Sequence, residues 1–169
     1  MATEAPKEDS QTSALPQREL EFLNLVVTRV LQGHAIQRGG LMDRAQITVE
    51  PSDVATICRT LKNDARTDFK LLLCMLAVDH KEYIQMVYLL QSLEHEHTLA
   101  IKTDLPYDEP RVPTVSDIWR AAHWYERETH DLFGVEFEGN PDLSPLLLYE
   151  GFEGYPGRKE FPLHEYDEF

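Results

Sequence analysis

The residues able to do chemistry are few and scattered. His123 and His130 lie seven residues apart in one helical stretch, with Glu126 between them, a set that could in principle hold a divalent metal. A helical zinc pair, however, places its histidines at i and i+4 beside a carboxylate base, and the His-Glu-x-x-His motif is absent. Cys58 and Cys74 are the only cysteines, while an iron–sulfur cluster or structural zinc needs about four ligands. Both sit among apolar residues and read as buried, unpaired thiols. Glu94-His95-Glu96-His97 has the character of a polar hairpin tip, and His34, His80 and His164 stand alone. Neither a Gly-x-Gly-x-x-Gly or P-loop phosphate cradle nor a Gly-x-Ser-x-Gly nucleophile elbow is present. The expectation is therefore that this chain carries no catalytic, cofactor-binding or metal-binding residue. The charged groups that stand out are Glu126, Arg127 and Glu128 in a helix, and Arg158-Lys159, the sole basic residues of a C-terminal tail rich in acids. Arg158 has the planar fork to engage a carboxylate bidentately, so these five read as partner-binding groups.

Composition narrows the partner. Acidic residues number 30 against 16 basic, for a net charge of -14, and phosphate backbones are bound by Lys and Arg clusters that this chain lacks. At 42% hydrophobic, it has the apolar material for a core without disulfides. Its longest apolar run, Leu71 to Val78, is far short of the ~20 residues of a membrane span. Residues 1–17 lack the basic start and apolar core of a secretory signal and read as a flexible leader of a cytosolic protein.

The positioning elements follow from periodicity. Leu20, Leu23, Val26, Val27, Val30 and Leu31 recur at helical steps before Gly33. Gln46 to Glu50 suits a short strand; Pro51-Ser52-Asp53 then opens a helix whose apolar face is Val54, Ile57, Cys58 and Leu61. Phe69 to Val78, apolar at every position but Lys70, reads as a strand buried on both sides. Tyr83 to Leu93 and Thr98 to Thr103 form an antiparallel hairpin, and the prolines between Asp104 and Pro113 should bar that stretch from a central strand. The fold class is α+β: a small, mainly antiparallel sheet covered by helices over residues 18–134, then an extended arm over 135–169.

A last helix should run from Ser116, as N-cap, to Gly134. Ile118, Ala121, Ala122, Tyr125, Leu132 and Phe133 form its apolar stripe, with Glu126 and Glu128 at the margins and Arg127 opposite. Trp119, His123 and His130 cluster outside that stripe, which points to a second packing surface turned toward another protein; the alternative is that Trp119 is covered by this chain's own tail and the charges form local pairs such as Arg127 with Asp131. From Gly134 to Phe169 the chain holds seven of the 16 aromatic residues, among them Phe152 and Phe161, together with five glycines and four prolines. Such a segment suits an arm ordered by wrapping a partner, on the order of 1,000 to 3,000 Å² in extent; the alternative is that it folds back over this chain's own sheet.

The stretches Glu126-Arg127-Glu128-Thr129-His130-Asp131-Leu132-Phe133-Gly134, Gly139-Asn140-Pro141-Asp142-Leu143 and Gly151-Phe152-Glu153-Gly154-Tyr155-Pro156-Gly157-Arg158-Lys159-Glu160-Phe161-Pro162-Leu163 closely resemble the C subunit of proton-pumping NADH-quinone oxidoreductase, respiratory complex I. Ala77-Val78-Asp79, Pro113-Thr114-Val115-Ser116 and Trp119 fit the same pattern, while Asn140, Ser144 and Tyr155 depart from it. The resemblance implies a cofactor-free accessory subunit of the peripheral arm, on the cytoplasmic side of a bacterial inner membrane and bound to the quinone-site subunit. Flavin and iron–sulfur clusters would then lie on partner subunits, and enzymatic activity would belong to the complex. The equivalent component of a related nickel–iron hydrogenase or ferredoxin-linked oxidoreductase is the alternative.

Overall fold

The computed structural model describes residues 15–162. The leader reading therefore falls almost wholly outside the described residues, as do Leu163, Tyr166 and Phe169 of the expected arm. Within them, α1 (Gln17–Leu25) continues through a π-helical turn (Val26–Val30), and Gly33 follows at φ 92°. Strands β1 (Ile36–Leu41) and β2 (Arg44–Val49) form a hairpin, and a 3-10 turn (Pro51–Asp53) leads into α2 (Val54–Asn63). Then come β3 (Leu71–Asp79), β4 (Tyr83–Ser92), β5 (His97–Pro106), β6 (Arg111–Pro113), α3 (Ala122–Phe133) and β7 (Glu136–Glu138).

The main sheet has the order β1-β2-β5-β4-β3. Its pairs are antiparallel except β2 with β5, where Ala45–Thr48 run parallel to Leu99–Lys102. The fold is α+β, with a mainly antiparallel sheet and helices on one face. Alternation fixes which face: Ile84, Met86, Tyr88 and Leu90 of β4 and Leu99, Ile101 and Leu105 of β5 point into the core. Against them pack Phe22, Leu23 and Val26 from the first helix and Val54, Ile57, Cys58 and Leu61 from α2. Burying each aliphatic side chain of that α2 face is worth about 1.5–3 kcal/mol relative to exposure.

Four sequence expectations need correction. Strand β1 is absent from the sequence reading, because Gly39-Gly40 and the polar Gln37 and Arg38 give it no strand signal; it pairs because β2 offers it a ladder. The run from Phe69 is not covered on both sides: β3 is an edge strand, with Leu71, Leu73 and Leu76 exposed. β5 does continue to Pro106, opposite Tyr83; beyond Lys102 no β2 residue pairs with it, so the proline sits where only one strand lies beside it. Finally, α3 begins at Ala122, six residues after Ser116. The intervening chain makes turns closed by the Ile118 and Trp119 N–H groups on the Val115 carbonyl.

Candidate partner-binding surface

Helix α3 organises this end of the molecule. Its buried face is Ala122, Glu126 and Thr129, so the carboxylate expected at a margin lies at 0% exposure. Glu126 is satisfied there from three directions: Oε1 accepts the Val115 N–H at 2.7 Å, and Oε2 accepts from Thr114 Oγ1 at 2.6 Å and Asn140 Nδ2 at 2.7 Å. Burial raises its pKa, and these three bonds oppose the rise without cancelling it. Glu126 thus ties the entry turn of α3 to the start of the tail, rather than lying open for a partner. Trp119 also turns inward, donating from Nε1 to the Phe69 carbonyl at 3.2 Å beneath Lys62.

The outer groups of α3 hold the tail. Arg127 donates from Nε to the Ser144 carbonyl at 3.0 Å and from Nη2 to that of Pro145 at 2.9 Å, with its guanidinium 5.2 Å over the Trp124 ring. Asp131 Oδ2 accepts the N–H groups of Leu146, Leu147 and Leu148 at 3.2, 2.8 and 2.8 Å. Burial opposes its ionisation, but those N–H groups outweigh it and hold the carboxyl below the usual range. Gly134 ends the helix at φ 73°, its N–H on the His130 carbonyl at 2.8 Å. A Cβ there would lie 2.5 Å from the Tyr155 ring, and one on Gly157 would meet the Phe133 ring at 2.8 Å. Both glycines admit the returning tail.

Arg158 completes the attachment. Its side chain is 10% exposed, with the guanidinium 4.9 Å from the rings of both Tyr107 and Tyr155, and Nε donates to the Phe133 carbonyl at 2.8 Å. The next backbone N–H, that of Lys159, reaches Asp79 Oδ2 at 2.6 Å, and Asp79 also accepts from the Lys81 N–H at 2.5 Å and the Tyr107 hydroxyl at 3.3 Å. Burial raises the Asp79 pKa, but these bonds win and its carboxyl lies below the ordinary range. Arg158 therefore clamps this chain to itself in the structure, whereas the side chains of Glu128 and Lys159 are exposed.

The first residues assigned to the arm belong to the domain: Val135 and Phe137 are buried, and β7 pairs in parallel with β6. Farther on, Phe152 sits half-buried between Tyr149 at 5.4 Å and Phe161 at 5.8 Å, ring to ring. Left in solvent on the tail are Tyr149 (72% exposed), Leu147 and Tyr155, and on α3 Trp124 (59%). Glu128, Glu150 and Glu153 are exposed in the same segments. Of the residues expected to bind a partner, Arg127, Phe152, Arg158 and Phe161 are thus gathered at one end, Glu128 and Lys159 are free at the surface, and Trp119 and Glu126 are inside. Sequence reasoning missed Trp124, although a tryptophan two positions from Ala122 must fall on the opposite side of the helix. It also missed Asp79, Tyr107 and Asp131, whose contacts are made far along the chain. His123, Glu126 and His130 do not converge: His130 Nδ1 lies 2.9 Å from the Val135 carbonyl while Glu126 is occupied as above. Among the described residues no group of three or more His, Cys, Asp or Glu is placed to hold a metal, and no helix is long and apolar enough to cross a membrane.

The sequence model of the family described as respiratory-chain NADH dehydrogenase, 30 Kd subunit, matches residues 47–167. The chain belongs to this family. The NADH-quinone oxidoreductase C 2 subunit of Rhizobium meliloti (strain 1021) is 42% identical over 121 residues, covering 70% of this chain and 66% of that protein. The C subunit of the same enzyme from Coxiella burnetii (strain RSA 331 / Henzerling II) is 36% identical over 156 residues, 72% of this chain and 69% of its own. The chain thus spans about two thirds of the length of the 30 Kd-subunit relatives it matches. Among solved structures it is similar to a chain of the membrane-bound sulfane sulfur reductase, an archaeal respiratory membrane complex, with a TM-score of 0.73 and 30% identity over 90% of this chain and 97% of that one. It is also similar to a trypsin-resistant fragment of Nqo5, with a TM-score of 0.54 and 27% identity over 75% and 98% of the two chains. The Glu126–Gly134 helix and the returning segment to Pro162, which carried the resemblance, lie inside the matched residues and pack on each other.

Proposed function

We infer that this chain is a cofactor-free structural subunit in the peripheral arm of a proton-translocating NADH-quinone oxidoreductase, where it supports the quinone-site subunit from the cytoplasmic side of the membrane. The family match over residues 47–167 carries this reading. The site supports it in kind: the strong polar groups around α3 are engaged in holding the tail in place, and what remains outward is an aromatic and acidic surface suited to protein contact. In this reading flavin and iron–sulfur clusters sit on partner subunits, and this chain supplies geometry. A second reading, membership of a related respiratory complex with another electron donor, draws on the fit to the sulfane sulfur reductase chain over 90% of this one.

Deleting the gene and restoring it tests the first reading. Membranes without the chain should lose NADH-driven quinone reduction, and the wild-type chain should restore it. Unchanged NADH-quinone activity in the deletion would refute the reading, and loss of an activity driven by a different donor would move the chain to the second.

A further inference from the structure

We propose that the helix-free face of the sheet is a second docking surface, taken by a helix of another polypeptide of the assembly that carries an apolar stripe flanked by a carboxylate. The inference goes beyond the aromatic tail surface and rests on the reading of the chain as a subunit. A strand solvated on one face alternates apolar with polar residues, whereas one covered on both faces is apolar at every position. From Leu71 to Val78 the chain is of the second kind, yet all three helices pack on one side of the sheet.

Register defines the other side. Leu71, Cys74, Leu76 and Val78 of β3 share it with Val87 and Leu89 of β4. These form one continuous apolar patch, with Leu71 at 39% and Leu76 at 42% exposure and the rest partly open. The far half of the same face carries Gln46 and Thr48 of β2 and Thr98 of β5 around the small, buried Ala100. At the border stands Lys102, directly opposite Val87. No carboxylate lies within ion-pair distance of it among the described residues, and the neighbouring Asp104 accepts from Gln85 Nε2 at 2.7 Å.

An apolar patch with an uncommitted lysine at its edge fits an amphipathic helix whose acid reaches Lys102. A second copy fits poorly, because two chains of net charge -14 repel. An anionic membrane is repelled for the same reason.

Cys74 lies in the patch and reports on it directly. Alkylation of Cys74 should be at least tenfold slower in the assembled complex than in the isolated chain. Leu76→Glu should leave the melting of the isolated chain nearly unchanged, since Leu76 is already open to water, while lowering recovery of partner subunits with the tagged chain at least tenfold. The milder Leu76→Ser guards against a folding defect, and a photo-crosslinker at position 76 should label a different polypeptide at a segment bearing a carboxylate. Equal alkylation in both states, or full recovery of partners with Leu76→Glu, overturns the proposal while leaving the subunit reading intact. Crosslinking to a second copy of this chain overturns it too. A wild-type chain that retains no partner overturns both.

Discussion

Replacing Arg158 by Ala should release the tail without unfolding the domain. The side chain makes one charged hydrogen bond, to the Phe133 carbonyl, and lies 4.9 Å from two tyrosine rings. A charge-assisted bond is worth about 1.5–3 kcal/mol and each partly exposed cation–π contact about 0.5–1 kcal/mol. Allowing for bonds to water in the open state, the loss is about 2–4 kcal/mol, and it falls on the tail alone because the core cluster holds no atom of Arg158. Amide hydrogen exchange reads this directly. The N–H groups of Gly157 and Lys159, which flank Arg158 and are bonded to the Leu132 carbonyl and Asp79, should exchange about 30- to 1,000-fold faster, at 1.4 kcal/mol per factor of ten. Amides of β4 and β5 should keep their wild-type rates. Arg158→Lys should recover little, since an ammonium cannot span both rings and the carbonyl. Tail amides that exchange at the wild-type rate in Arg158→Ala would show that the clamp does not hold the tail.

Four further outcomes follow from the same contacts. Glu126→Ala should cost about 3 kcal/mol in urea denaturation, because the buried Val115 N–H is left without an acceptor. Because burial raises the Glu126 pKa, its folded form binds a proton more tightly than the unfolded one, so its contribution to stability falls as pH rises from 4.5 through the raised value; Glu126→Gln should flatten that slope in melts across pH 4–7. Asp79 and Asp131 have the opposite sign: both are depressed, so their hold on the tail is complete above the ordinary value of 3.8 and lost as pH falls below it, and acid titration of wild type against the double variant Asp79→Asn/Asp131→Asn should show proteolysis of the tail rising in wild type only. Gly134→Ala should destabilise by more than the ~1–2 kcal/mol of a left-handed alanine, because its methyl group would also enter the Tyr155 ring, and a thermal shift smaller than that backbone cost would contradict the geometry.

Local signals were legible and tertiary ones were not. The Pro51-Ser52-Asp53 start and the Val54, Ile57, Cys58, Leu61 face of α2 were readable, because a helix buried on one side writes its core at fixed steps; all four side chains are fully buried. The β4–β5 hairpin and the Gly134 cap were readable for the same reason. Trp119 was misplaced because a helical wheel begun at Ser116 assigns angles across turns that are not helix. Glu126 was read as marginal because charge argues for the surface, and only the convergence of Thr114, Val115 and Asn140 makes its burial tolerable. Arg158 was read as an anchor to a carboxylate cluster, but within this chain it lies against the Tyr107 and Tyr155 rings and donates to the Phe133 carbonyl; Tyr107 and Phe133 are brought to it by topology and left no trace near it in sequence. The open face of β3 was hidden by the opposite rule: a run apolar on both parities says that both faces are to be covered, not that this chain covers them.

The most direct test is gentle affinity purification of the tagged chain from solubilised membranes, with mass spectrometry of what is retained and spectroscopy for flavin and iron–sulfur centres. A structural subunit of an NADH-quinone oxidoreductase should bring down a quinone-site subunit, iron–sulfur proteins and a flavin-bearing NADH module, with quinone reductase activity in the same fraction. Recovery of the chain alone, free of any redox partner, would contradict that role.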